Sequence, residues 1–270
     1  LEAACTAAEV GCNTFLLEKG SELGGLASLI SKIPAKNRLA DFPHYLMHRA
    51  EQLENLYIFT NTEGTPENIR KFHPNIIVSS TGSAPLLPPI AGLKDRIDNE
   101  DYNIYSILGM INHINDFPKD LEGKKVVVVG GGAVGLDVVE FFADRNADIS
   151  IVEMMDQIGR DLDPVSKNDT KAMMKKHNVH QLTKTALLEV KDSSFLVKGD
   201  GEPYELPFEY GFVCLGMRAQ GQLYQSLAEE FSSEDVEIMN IGDSQRARRI
   251  IDGTQEGRNI LTILEQRGYL

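Results

Sequence analysis

An α/β fold built on parallel strands is what these 270 residues predict, on three observations. The stretch KKVVVVGGGAVGLDVVEFFADRNADISIVE (124–153) places a four-valine run, a glycine loop, an apolar helix, a turn and a second apolar run in succession. A helix, an apolar run and a terminal acid at 1–18 repeat the order found at 133–153. Short β-type runs crowd the interval 179–215, which suits a small meander that crosses back to a sheet. Strands alternating with helices build a parallel sheet covered on both faces, and the internal similarity makes two such units.

Each element has a local reason. LEAACTAAEVG reads as a helix: Ala3, Ala4, Ala7 and Ala8 are strong helix formers, and Gly11 sits where a left-handed cap belongs. No Ser, Thr, Asp or Asn opens it as a start signal. NTFLLE (13–18) follows as a buried strand ending in Glu18, and KGSELGG is a loop carrying Gly24 and Gly25. The helix–strand–acid order is the second half of a dinucleotide-binding βαβ unit, whose strand and glycine loop are expected before Leu1. Residues 38–53 are helical with Pro43 at a first turn or kink, 56–61 a strand, and 66–72 a short helix opened by Pro66. NIIVSS (75–80) is a buried strand running into Thr81-Gly82-Ser83. APLLPPIAGL (84–93), with three prolines, is an extended connection, and 101–125 reads as a linker holding one short helix near 104–113. Beyond Glu153 the pattern predicts a helix over about 165–177, four β runs to 215, a helix at 222–230 and a strand at 236–243. A final helix over 246–267 carries Ile250, Ile251, Ile260, Leu261 and Leu264 as its apolar residues.

Composition removes several functional classes. With 27 basic and 40 acidic residues the net charge is −13, and the pI is near 4.9. Binding nucleic acid needs clustered Lys and Arg to neutralise phosphates, so that class is disfavoured. No apolar run approaches the roughly 20 residues that span a bilayer, and no signal peptide opens the chain. Cys5, Cys12 and Cys214 are too few and too scattered for a disulfide framework. A cytoplasmic protein of a reducing compartment is the expectation.

The chemistry is concentrated in Gly130-Gly131-Gly132-Ala133-Val134-Gly135, a GxGxxG that follows a strand and opens a helix, with Glu153 ending the next strand. In that context each part has a job. Gly130 permits the tight turn, Gly132 lets a pyrophosphate approach the backbone, and Gly135 lets the helix pack closely on the strand. Free N–H groups at the helix start face the phosphates. Glu153 can accept two hydrogen bonds from an adenosine ribose. Its carboxylate would repel a 2′-phosphate, and the following MMDQ supplies no Arg to hold one, which favours NADH over NADPH. Glu18 is the corresponding acid of the first unit.

Other candidates weigh less. His44 and His48 have i, i+4 spacing but no HExxH acid and no third ligand, so surface or packing roles are expected and no metal site. His177 and His180 flank a helix end, where a cationic ring suits the dipole. Met154-Met155 and Met173-Met174 read as core or interface filler. Arg246, Arg248 and Arg249 read as a solvated turn or, at most, a docking or phosphate contact.

Taken together, these segments resemble the two-dinucleotide-binding flavoprotein reductases, in which an NAD(P) domain is inserted into an FAD domain. Glu18 with Gly24-Gly25 is similar to their E…GG stretch. Ser80-Thr81-Gly82-Ser83 with Pro88 and Gly92 is similar to the ATGS…P…PG segment. Leu215-Gly216-Met217-Arg218 is similar to LGxRP with Ala219 in place of proline, and Ile241-Gly242-Asp243 to the GD motif. Gln255-Glu256-Gly257 fits the continuation near the isoalloxazine. The resemblance implies two Rossmann-like domains: residues 1–117 and 226–270 for FAD and 118–225 for NAD(H). It implies Glu18, Lys19, Gly24, Gly25, Thr81, Gly82, Gly242 and Asp243 on FAD, and Gly216 and Arg218 beside the glycine loop and Glu153 on NAD.

The cysteines lack the spacing of the disulfide-reducing branch. The GGLASLISKIPAKNRLADF stretch has no redox cysteine and is similar to the 2,4-dienoyl-CoA reductase and 2-enoate reductase group. That resemblance implies an NADH:flavin oxidoreductase module in which no side chain here performs acid–base catalysis. Hydride would pass from NADH to FAD, and electrons onward to a 4Fe-4S cluster and an Old Yellow Enzyme type FMN barrel lying before Leu1, there to reduce an enoate or enoyl-type acceptor. A glutamate-synthase-small-subunit-like protein is the nearest alternative, and a nucleotide-binding module that has lost flavin is another.

Overall fold

The computed structural model describes residues 1–270. The chain opens with α1 (Glu2–Glu9), β1 (Thr14–Leu17), α2 (Gly25–Ile30), a 3-10 stretch (Pro34–Ala40), α3 (Asp41–Glu51) and β2 (Leu56–Phe59). Next come α4 (Pro66–Arg70), β3 (Ile76–Ser79), β4 (Ser83–Pro85), α5 (Leu93–Arg96), β5 (Ile104–Tyr105) and α6 (Ile107–Asn112). The central stretch holds β6 (Lys125–Val129), α7 (Ala133–Ala143), β7 (Asp148–Val152) and α8 (Pro164–Lys176). Six strands follow: β8 (His180–Leu182), β9 (Ala186–Val190), β10 (Ser194–Lys198), β11 (Tyr204–Pro207), β12 (Tyr210–Val213) and β13 (Met217–Ala219). The last elements are α9 (Gln222–Glu230), β14 (Glu237–Asn240), α10 (Ile250–Arg258) and α11 (Ile260–Gln266).

Two compact units result. One comprises Leu1–Lys32, Lys36–Ala84 and Arg218–Leu270, the other Ile33–Ala35 and Pro85–Met217. These divisions, near 84/85 and 217/218, differ from the expected 117/118 and 225/226. Packing explains both shifts. Leu93 and Ile104 are buried in one cluster with Val127, Val129 and Val213, so 85–117 belongs to the second unit and is no linker. Leu227 of α9 packs with Ile77 and Phe231, which places 218–225 in the first unit.

In the second unit five parallel strands form one sheet in the order β5-β12-β6-β7-β8. Val126 to Val129 are all at most 3 % exposed, as expected for a strand covered on both faces. Val127 and Val129 pack toward Phe195, Val197 and Phe208 of the antiparallel meander β9–β11 and its exit. A separate group of rings, Phe117, Phe141, Phe142, Tyr210 and Phe212, packs edge-to-face, tilted and, for Phe142 on Tyr210, stacked, with centroids 4.8–6.3 Å apart. The predicted run YELPFEYGFVCLG is two strands: β11 closes the meander and β12 returns to the parallel sheet.

The first unit contains two separate parallel pairs, β1–β2 and β3–β14, and β4 pairs with β13. Helix α1 covers the first pair through Cys5 and Ala8, packed with Ala50 and Leu56. Its Glu2 is a buried carboxylate held by Arg49 and Arg258, each at 2.9 Å, while Arg49 also grips Glu9. Burial alone would raise the Glu2 carboxyl, but hydrogen bonds from Arg258 and Arg49 hold it below its usual value. The predicted final helix is two helices meeting at Asn259, and it starts only at Ile250. Ile260 and Leu264 are buried as expected, but Ile250 and Ile251 are exposed, because the first turn of α10 ends a solvated loop, and Leu261 of α11 is exposed as well.

Since Glu2 titrates lower in the folded chain, its contribution is complete above its ordinary value of 4.5 and is lost as pH falls through the depressed one. Acid-dependent thermal unfolding should therefore show stability dropping in that window. Glu2→Gln should flatten this dependence and cost about 2 kcal/mol at neutral pH, through the lost charge-assisted bonds.

Candidate functional site

The glycine loop leaves β6 and enters α7 at close quarters, tightest at Gly130 and Gly135. Gly130 has φ +109, and a Cβ there would collide with the carbonyl oxygen of Cys214. At Gly135 a Cβ would collide with the carbonyl oxygen of Gly130, so helix and strand approach to backbone contact. Gly132 is the N-cap of the 11-residue α7 and contributes no side-chain cap, leaving the first N–H groups of the helix, from Ala133 and Val134 onward, without intrahelical partners. The space where its side chain would stand is open, the nearest atoms being the Asp161 carboxylate oxygens at 3.7 and 3.8 Å.

Glu153, just past β7, stands beside this loop. Its Oε2 accepts the Gly131 N–H at 2.6 Å and its Oε1 accepts the Met155 N–H at 2.7 Å. Gly131, Gly132, Glu153, Met155, Gln157, Arg160 and Asp161 line one open cavity of 360 Å³. The structure thus joins the loop and the acid, and adds four residues that sequence reasoning missed. They come from the segment between β7 and α8, tied down by the Gly159 N–H donating to the Gly131 carbonyl at 2.7 Å. The one sequence signal for that segment's end is Asp163-Pro164: the Asp163 carboxylate caps α8 through Val165 and Ser166. Met154 and Met155, expected as filler, are 68 % and 40 % exposed, because they lie past the end of β7, Met155 on this rim. Met174 is buried. Gly216 and Arg218 are not among the residues lining the cavity; Gly216 has φ +101 and its carbonyl accepts the Leu86 N–H.

The first unit gathers its predicted residues in two places. After β1, Glu18 Oε1 accepts the Gly20 N–H at 2.7 Å, and Lys19 is an exposed partner of Glu63 at 2.8 Å. Gly24, at φ +103, opens α2, and Gly25 is left-handed too. The second place is the turn after β14. Asp243 accepts from Ser83 Oγ at 3.1 Å and from the Arg248 N–H at 3.0 Å. Gly242 donates its N–H to Glu256 Oε2 at 2.6 Å, and Arg248 pairs with the other oxygen of Glu256 at 2.5 Å. Arg248 is therefore a structural tie within the turn, and Arg249 pairs with Asp252 at 3.5 Å. Thr81 Oγ1 donates to the Gln220 carbonyl beside Gly82, which has φ +74.

In the second unit a glycine loop, a bare helix start and an oriented acid surround an open cavity, which fits a dinucleotide. In the first unit the acid-tipped strand and the Gly-Asp turn suit a second dinucleotide, while α2, its glycine-led helix, has only six residues. No group of three or more His, Cys, Asp or Glu is placed to hold a metal, and His44 and His48 lie exposed on α3. All three cysteines are free thiols; Cys5 and Cys214 are buried, and burial pushes Cys214 up to about 12.

A parallel sheet whose glycine loop meets a helix start beside an acid-tipped strand defines a dinucleotide-binding α/β protein. More narrowly, the chain belongs to the pyridine nucleotide-disulphide oxidoreductase family, which it matches over residues 52–239. It is 26% identical over 258 residues to an NADH oxidase of Thermoanaerobacter brockii, covering 95% of this chain and 38% of that protein. It is likewise 26% identical over 295 residues to a metal reductase of Desulforamulus reducens, covering 96% of this chain and 41% of that protein. A solved 2-naphthoyl-CoA reductase complex superposes with a TM-score of 0.81 at 23% identity, over 96% of this chain and 37% of that one. The chain thus spans about two fifths of the length of these relatives.

Gly135→Ala should force α7 off β6 and weaken dinucleotide binding at least tenfold, measured by calorimetric titration with NADH. Among the thiols, Cys12 should alkylate first at pH 8 and Cys214 last, read by peptide mass spectrometry; early labelling of Cys214 would contradict its burial.

Proposed function

We propose that this chain is the NADH-oxidising, FAD-binding module of a larger flavin oxidoreductase. The observation that carries the reading is the junction of β6, α7 and β7, where the Gly131 N–H and the Glu153 carboxylate meet at 2.6 Å above an open cavity. Gly130 to Gly135 would hold the pyrophosphate of NADH on backbone N–H groups. Glu153, fixed by Gly131 and Met155, would accept the ribose hydroxyls with its remaining lone pairs. Glu18, Lys19, Gly24, Gly25, Thr81, Gly82, Gly242 and Asp243 would hold FAD in the first unit, with Gly216 and Arg218 serving the NAD side. A bound flavin supplies a hydride acceptor that can release electrons singly. The chain's own residues position and tune, and none is assigned acid–base work.

Strand pairing supports the FAD half of this reading. The pairs β1–β2 and β3–β14 each have a free edge, and a single parallel strand carrying a glycine loop would join them into one sheet and complete a pyrophosphate site. We assign that strand, together with a 4Fe-4S cluster and an FMN barrel, to parts of the protein beyond these residues. The relatives' names point to unlike acceptors, so the shared element is the donor side, and an enoate or enoyl-type acceptor would be reduced elsewhere. Cytoplasmic location accords with the free thiols; no helix is long and apolar enough to cross a membrane.

A second reading has one observation in its favour. The Gly242 N–H and the Asp243 carboxylate already have partners in Glu256, Ser83 and Arg248. A module that binds NADH but holds no flavin would look the same at that turn. Whole protein purified with its flavin should be yellow and bleach on anaerobic addition of NADH. A colourless protein that still binds NADH would favour the second reading, and failure to bleach with either NADH or NADPH would overturn the first.

A further inference from the structure

Of the eight methionines in the chain, only Met154 and Met155 are exposed, at 68 % and 40 %. They stand side by side just past β7, but only Met155 lines the 360 Å³ cavity beside the glycine loop. We propose that Met155 is an oxidation site: hydrogen peroxide converts its thioether to the sulfoxide, and that change loosens a dinucleotide held in this cavity. The inference rests on the dinucleotide reading of the second unit and adds a redox control to it.

Three features support it. First, Met155 supplies the one apolar side chain on the cavity. The other lining side chains are Glu153, Gln157, Arg160 and Asp161, and the two glycines bring none. An adenine ring needs an apolar wall, and a thioether packs well against aromatic rings. Second, Met155 cannot swing its main chain away. Its N–H donates to Glu153 Oε1 at 2.7 Å, and its carbonyl accepts the Lys184 N–H at 2.9 Å. A modified side chain therefore stays on the rim of the site.

Third, the chemistry reverses the character of that wall. One oxygen of hydrogen peroxide passes to sulfur, the O–O bond breaks, and the other oxygen leaves with both protons as water. Sulfur loses the two electrons that the peroxide gains, so no further reactant is needed. The product is a polar, chiral side chain with an acceptor oxygen, and methionine sulfoxide reductases reverse it. On this cavity it would join the carboxylates of Glu153 and Asp161, which are acceptors already, and leave no apolar side chain. Met154 is the more exposed of the pair and lies off the cavity, so its oxidation should leave binding unchanged.

The test uses the whole protein purified with its flavin, treated with hydrogen peroxide for increasing times. Peptide mass spectrometry reads each sulfoxide, and calorimetric titration with ADP-ribose, which carries adenosine and pyrophosphate but no hydride, reads the site. Affinity should fall about tenfold, the scale of one lost apolar contact, in step with the Met155 sulfoxide and not with that of Met154. Bound ADP-ribose should slow oxidation of Met155 and leave Met154 unaffected. Treated Met154→Leu should lose affinity as the wild type does, whereas treated Met155→Leu should keep its own starting affinity. Met155→Gln, polar before any treatment, should bind ADP-ribose more weakly than Met155→Leu, and a methionine sulfoxide reductase should restore the treated wild type. Full oxidation of Met155 with affinity unchanged overturns the proposal, as does an equal loss in treated Met155→Leu. Met155 left unmodified where Met154 is fully oxidised overturns it too. An untreated protein that binds no ADP-ribose removes the coenzyme reading itself, and the proposal with it.

Discussion

Backbone contact between β6 and α7 is the constraint on which the second unit turns. Gly135 sets the helix down on the Gly130 carbonyl, and Gly130 in turn leaves no room between itself and the Cys214 carbonyl. Three chain segments therefore meet with no side chain between them. Everything above that junction inherits its position: the bare first turn of α7, the loop carbonyl that anchors Gly159, and the Gly131 N–H that anchors Glu153. Any side chain at Gly130 or Gly135 would propagate outward through all of these, because interiors packed at this density shift and do not absorb added volume.

The two acid-tipped strands show how context changes one local pattern. Glu18 and Glu153 both end a short apolar parallel strand, and both turn a carboxylate oxygen onto a backbone N–H of a following or neighbouring loop. Glu18 reaches only Gly20, two residues on, which is a local turn. Glu153 reaches across to Gly131, 22 residues away, and so couples two strand ends. The first arrangement shapes a loop; the second fixes a site. They also lie in different sheets, β1–β2 and the five-stranded sheet, as two independent units require.

How much of this could be read beforehand follows from the range of each interaction. The β6–α7–β7 passage was readable because valine run, glycine spacing and terminal acid are all local, and the structure places each within a residue or two of expectation. Strand β5 was not. It has two residues, no period, and becomes a strand only because the Gly211 N–H donates to the Asn103 carbonyl and pairs it with β12. The rim of the cavity was equally hidden, since Met155, Gln157, Arg160 and Asp161 carry no periodic signal and are placed by a hydrogen bond from Gly159 to a loop 28 residues earlier. The break at Asn259 in the last helix belongs to the same class: Gly257 packs against Glu2 of α1, a tertiary contact that amphipathic counting does not contain.

The first unit depends on a different interaction. Its two strand pairs share no ladder, so the helices tie them together, above all α1, which packs on α3, α10 and α11. Glu2 is the knot: one buried carboxylate takes Arg49 from α3 and Arg258 from α10. A buried charge of this kind is costly unless paired, and here Oε1 of Glu2 takes both guanidiniums, with Thr6 Oγ1 adding a long contact to the same oxygen at 3.5 Å. The second unit therefore holds its site by backbone approach, which tolerates no substitution. The first holds its frame by a buried ion-pair knot, which acid can loosen as Glu2 takes up a proton. Stability of the first unit should accordingly respond to acid that leaves the glycine loop untouched.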